Sequence, residues 1–261
     1  MCLIILAHHI EPQLPLIVIA NRDEFFTRPT ESAAFWKSKL HAPEILAGKD
    51  LEAHGTWLGI TRNGRFAALT NIREASQKTS KPISRGQLPL EFLSSKKSPI
   101  KFATELTARF SRYNGFNLLL ADKNSLIYLN SSTQSISELP PGIYGLSNGS
   151  LNANWPKINQ GKDQLKNLIN KEIKLTTDSL IAMMSDRNMA PDESLPNTGL
   201  PIELERQLSS SFVTIPERQY GTLCSTAVII SHDGLTRFDE QSFDEVGNPV
   251  NRHYFEFYQS L

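Results

Sequence analysis

The chain has 261 residues, 39% of them hydrophobic and 21% charged, and its 27 basic and 27 acidic side chains cancel to a formal net charge of zero. That length suits one large domain or two small ones with a sizeable core, and the charge balance offers no footprint for nucleic acid or an anionic membrane. Two cysteines, Cys2 and Cys224, make no disulfide framework; with no basic leader and no apolar run of about 18 residues, a cytoplasmic protein without signal peptide or integral membrane segment is expected.

Residues 3–7 (LIILA) and 16–20 (LIVIA) are short, uninterrupted apolar runs. They predict two strands buried on both faces, joined by a connection of hairpin length that carries Pro12 and Pro15. Residues 56–61 and 65–70 flank Asn63-Gly64 and predict a second hairpin, because both turn residues tolerate positive φ. Ile100, Ala103, Leu106 and Phe110 recur at helical spacing. A third hairpin is expected over 116–121 and 125–130, turning at Asp122-Lys123-Asn124. Leu165, Leu168, Ile169 and Ile173 predict another helix, and Thr177 or Asp178 caps one ahead of Leu180, Ile181 and Met184. Residues 190–201, with three prolines, Asn197 and Gly199, predict a loop and are the best candidate for a mobile segment. A fourth hairpin follows over 226–231 and 235–239, turning at His232-Asp233-Gly234. Antiparallel hairpins separated from blocks of helix predict an α+β fold, with two sheets each covered by helices in a four-layer αββα sandwich.

Three familiar patterns carry little. Gly59 and Gly64 have P-loop spacing but are followed by Arg65-Phe66 in place of Lys-Ser/Thr. The six histidines form no HExxH or HxH, so no metal site is expected. Residues 145–149 (GLSNG) match the nucleophile elbow of α/β-hydrolases. That elbow needs a strand-to-helix turn in a mostly parallel sheet, whereas the neighbouring segments here are antiparallel and Pro156 interrupts the region where the helix should run. A strand end that presents Asn148 is the preferred reading, with Ser147 kept as an alternative nucleophile.

The sharpest signal is Cys2. Removal of Met1 would leave a thiol and a free α-amine on one residue, and that amine, with a pKa of about 7.7–8.0, can serve as the nucleophile's own base. Asn21-Arg22-Asp23-Glu24 continues the LIVIA strand. If that strand pairs with the first, Arg22 can favour the thiolate, and Asp23 can orient Arg22 or accept from the α-ammonium. Successive strand residues point to opposite faces, so both cannot point inward without a bend.

With MC at the start, ANRDEFFTRP at 20–29, GTWLGI at 55–60, AALTN at 67–71, YNGFNLL at 113–119, YGLSN at 144–148, WPK at 155–157 and YGT at 220–222, the chain resembles the NRDE family, the transport and Golgi organisation protein 2-like proteins, over its whole length. That family in turn resembles N-terminal nucleophile (Ntn) hydrolases. The resemblance implies a single domain over 1–261, Cys2 as nucleophile, Arg22 beside it, Asn71 as a backbone oxyanion donor and Asn148 as a side-chain one. The hydrolases' aspartate three positions after the arginine falls on Phe25 here, which leaves Asp23 as an approximate stand-in. Relatives commonly carry arginine where this chain has Leu223, and Arg218 is the candidate replacement. The implied function is a cysteine amidohydrolase or acyl hydrolase acting on a small amide or thioester without a cofactor. The alternative is a non-catalytic haem or acyl-cofactor binding or trafficking protein, with Cys2, His8 or His9 as axial ligand. The partner expected is a small molecule, not nucleic acid, and the oligomeric state is left open.

Overall fold

The structure is a computed structural model that describes residues 2–36, 44–73, 81–171 and 175–260. Met1, Ile173 and one of the six histidines, His41, lie outside the described residues. In chain order the elements are β1 (Cys2–Glu11), β2 (Leu14–Phe25), β3 (Thr30–Phe35), β4 (Ile45–Asp50), β5 (Leu58–Thr61), β6 (Phe66–Asn71), α1 (Gln87–Leu93), α2 (Pro99–Thr107), β7 (Phe116–Ala121), β8 (Leu126–Asn130), β9 (Ser135–Glu138) and β10 (Gly142–Leu146). There follow α3 (Pro156–Asn170), α4 (Thr177–Met183), α5 (Ile202–Gln207), β11 (Thr214–Ile215), β12 (Tyr220–Ile230), β13 (Leu235–Phe243) and β14 (Pro249–Tyr258).

All four predicted hairpins are present, as β1–β2, β5–β6, β7–β8 and β12–β13, each antiparallel. The predicted helices are α2, α3 and α4, and two boundaries differ from expectation for local reasons. Pro156 does not interrupt a helix; it opens α3 at the first-turn position, where a missing N–H costs nothing. The cap of α4 is Thr176, one residue earlier than expected, and it forms a reciprocal capping box with Ser179. Residues 190–201 carry a single 3-10 turn, Asp192–Ser194, and otherwise no helix or strand.

The described residues fall into two compact units. The first gathers the chain up to Thr27, Arg73 and Pro141–Glu256. Its sheet has the order β10-β1-β2-β12-β13-β14, with β11 added to β12. On one face Leu3, Ile5, Ile17 and Ile19 pack against Ile158 and Leu165 of α3 and Leu180 of α4. The alternate side chains Ile4, Leu6, Val18 and Ala20 are buried as well, which is why these strands read as continuous apolar runs. The second unit holds Arg28–Ile72, the described residues of 81–140 and the chain from Phe257. It is a meander in sequence order, β3 to β9, whose Ala67, Leu69, Leu118 and Leu120 pack with Phe92 of α1 and Phe102 of α2. Among the described residues no helix is long and apolar enough to cross a membrane.

Candidate active site

Cys2 is the first residue of β1, and it stands directly across from Arg22 of β2. On the far side of β2, Arg22 pairs with Cys224 of β12. Directly opposed residues share a face, so the two cysteines flank Arg22 on the face turned away from α3 and α4. Between Thr222 and Cys224 the register of β12 slips by one, leaving Leu223 as an extra residue opposite the Arg22–Asp23 step. This is a β-bulge, a device that locally re-aims side chains.

The bulge lies in β12, and β2 itself keeps its alternation. Asn21 therefore points to the helix-backed face, where its Nδ2 donates to Met184 O at 3.0 Å and Ser211 O at 2.8 Å while its Oδ1 accepts from Ser225. Asp23 lies two residues on, and its Oδ1 accepts from Thr222 at 2.8 Å. Alternation thus divides the pair: Arg22 shares the thiol's face and Asp23 the helices' face. Both are buried, Arg22 at 5% and Asp23 at 1% exposure, so the stretch is not a solvated strand end.

Asn148 follows β10, whose Leu146 pairs with Ile4 of β1. The Ser147 hydroxyl donates to Cys2 O at 2.9 Å and contacts Asn148 Oδ1 at 3.4 Å. Ser147 is fully buried, which suits a group that ties β10 to the first residue of β1 better than a nucleophile. Asn148 O accepts from the Arg73 N–H at 2.8 Å. Cys2, Arg22, Asp23 and Asn148 thus belong to the first unit, while Asn71 ends β6 in the second, paired with Phe116 and two positions before Arg73 along the chain. Arg218, the candidate replacement for the arginine absent at Leu223, is exposed in a 3-10 turn. His8 and His9 stand at the other end of β1, about 20 Å of strand from Cys2.

Three charged residues without an assigned role join this unit's buried polar set. Lys157, 2% exposed in the first turn of α3, donates from Nζ to Leu208 O at 2.8 Å. Arg73 pairs with Glu205 at 2.6 Å, with side chains 9% and 3% exposed, and its guanidinium lies 5.3 Å from the centre of the Trp155 ring. Thr198 adds its N–H and hydroxyl to Glu205. The sequence carried a signal for Lys157 alone: a lysine directly after the proline that opens a helix stands against the helix dipole.

Burial governs the site's titrations. Cys2 as a residue is half-buried, yet the protein atoms around its sulfur push the thiol up, with Asp23 adding to the rise and Arg22 opposing it. Burial also raises the Asp23 carboxyl, against Lys157 and the Thr222 hydrogen bond. Lys157 is pushed down to about 8 by burial, with Asp23 opposing. Burial holds Cys224 well above the ordinary thiol range, with Glu240 adding to it.

A family model for Transport and Golgi organisation 2 matches residues 1–245. The Transport and Golgi organization protein 2 homolog of Bos taurus is 35% identical over 243 residues, covering 87% of this chain and 86% of its own. The Homo sapiens homolog is 34% identical over 241 residues, with the same coverage of each chain. Among solved structures, a Caenorhabditis elegans N-acylethanolamine-hydrolyzing acid amidase ortholog is similar with a TM-score of 0.50 at 13% identity, covering 87% of this chain and 92% of that one. At that identity the likeness shows the fold: α+β, of the Ntn-hydrolase αββα class, as expected from the sequence.

Proposed function

We propose, from the premise that the chain belongs to the Transport and Golgi organisation 2 family and has an Ntn-hydrolase-like fold, that it is a cysteine hydrolase of small amides or thioesters, with Cys2 as nucleophile once Met1 is removed. The carrying observation is the place of Cys2: first in a buried central strand and directly across from a buried arginine. In this reading the Cys2 sulfur attacks the substrate carbonyl carbon while the α-amine takes the thiol proton and returns it to the departing amine or thiol. Arg22 steadies the thiolate, and the Asn148 amide receives the oxyanion. Water then cleaves the acyl-Cys2 thioester, releasing the acid. The reaction calls for no cofactor, and a reducing, cytoplasmic setting keeps both thiols free.

The test has two parts. Mass spectrometry of the native protein should show Met1 absent, and a panel of small amides and thioesters should be cleaved by wild type and not by Cys2→Ala. Replacing Asn148 with Ala should lower kcat by about 10²–10³-fold, the effect of losing one oxyanion donor. A fully retained Met1 would remove the free α-amine on which the mechanism depends.

A further inference from the structure

Strand β14 (Pro249–Tyr258) ends its sheet, and among the described residues no strand pairs with its outer edge. The other strands that end a sheet, β10, β3 and β9, have five, six and four residues, whereas β14 has ten. Proteins blunt an open edge with short strands, lysines or an internal proline. In β14 the one proline is the first residue, and lysine is absent. Alternation places Val250, Arg252, Tyr254, Glu256 and Tyr258 on one face, the helix-backed one, because Arg252 binds Asp178 of α4. Val250, Tyr254 and Tyr258 are 58%, 52% and 65% exposed there. A long edge with this much apolar surface is a template for another strand.

The order of charges along β14 says which strand. A second copy adding antiparallel to this edge is related by a two-fold axis normal to the sheet, and the pairing is then symmetric about one residue. Centred on Tyr254, it sets Arg252 of each copy opposite Glu256 of the other, Tyr254 opposite itself and His253 opposite Phe255, and it uses the whole of residues 250–258. Centring on Arg252 or Glu256 brings like charges face to face, and centring on His253 or Phe255 leaves both charges opposite uncharged residues. Opposite charges directly across a strand pair stabilise it, and like charges destabilise it. Arg252 spends Nε and Nη2 on Asp239 and Asp178. Its Nη1, with two further N–H donors, has no partner among the described residues and is left for a carboxylate across the edge.

We propose that β14 is a dimerisation edge: two copies of the chain join antiparallel about Tyr254, β14 against β14, so that two sheets become one. Main-chain hydrogen bonds supply the affinity, and the two Arg252–Glu256 pairs fix the register. A strand edge buries less than the interface of an obligate dimer, so the association depends on concentration. This inference goes beyond the proposed reaction and does not depend on Cys2.

Sedimentation velocity of the full chain from about 1 to 300 μM, the range that reports weak association, should show a monomer–dimer equilibrium. Hydrogen exchange in the peptide covering residues 250–258 should slow as the dimer fills. Glu256→Lys sets like charges across the edge, and Tyr254→Lys sets two on the axis; each should raise the dissociation constant about tenfold or more. Exchanging the charges within one chain, Arg252→Glu with Glu256→Arg, should restore association. A monomer throughout the range would overturn the proposal, as would a dimer that either lysine variant leaves unchanged, or an exchanged chain that folds yet stays monomeric. Arg252 also neutralises the buried Asp239. If the exchanged chain does not fold, the two lysine variants, both at exposed side chains, carry the decision.

Discussion

Lys157 is a stability determinant. Its folded pKa of about 8 lies below the usual lysine value of 10.5, so between these limits the unfolded chain binds the proton that the native chain has released. Stability therefore rises with pH across that window and does not gain from this group below it. A shift of this size corresponds to about 3 kcal/mol. Denaturant melts should show wild type gaining stability relative to Lys157→Met as pH climbs from about 8 towards 10.5, and parallel curves would refute this. The ion pair beside it makes a different prediction. Arg73 and Glu205 are nearly inaccessible, and removing one partner leaves a buried uncompensated charge. Glu205→Ala should cost about 3–5 kcal/mol, and Arg73→Met/Glu205→Leu should recover most of it. Of the individual site residues, Cys2 and Arg22 were legible in the sequence because position and motif single them out. The Arg73–Glu205 pair was not, since its partners are 132 residues apart and neither stands in a distinctive local pattern.

Elements were legible where a turn or a period announces them. Asn63-Gly64 and Asp233-Gly234 mark their hairpins because Gly64 and Gly234 adopt positive φ. Strands β3, β4, β9, β11 and β14 escaped notice; apart from β4, whose Ile45, Leu46 and Ala47 are buried, they are short or half-exposed, and a strand that buries little carries little pattern. Helix α1 was hidden by Pro89, which sits in its first turn where proline is tolerated. The placement of α3 depends on two close approaches. A Cβ on Gly145 would lie 2.6 Å from Ile158 Cγ2, and one on Gly161 would lie 2.8 Å from Ile5 Cδ1. Gly145→Ala should destabilise by about 1–3 kcal/mol through overpacking. Gly161→Ala should cost less, because alanine restores about 1 kcal/mol of helix propensity. A thermal melt that ranked the two the other way would show that α3 yields more easily than β10.

At the scale of the whole molecule, the first unit is assembled from distant pieces of chain. Strands β1 and β2 lie inside the sheet order β10-β1-β2-β12, so the N-terminal hairpin supplies the partner of β10 and one partner of β12. A fragment of residues 141–261 should therefore lack cooperative unfolding and dispersed amide resonances; a well-dispersed spectrum would contradict this dependence. The sequence by itself determined the α+β class, the four hairpins, the family and the candidacy of Cys2, because these reside in local turn chemistry, hydrophobic patterning and motifs. It also stated the constraint on Arg22 and Asp23, that neighbours on one strand face opposite ways. Only the tertiary structure decided how that constraint is met. Burial of both sheet faces gives each side chain an interior of its own, and a bulge at Leu223 opposes the pair. The charges that act on the buried Lys157, those of Asp23, Arg73 and Glu205, come from other elements. Their effect depends on desolvation, and desolvation exists only once the chain has folded around them.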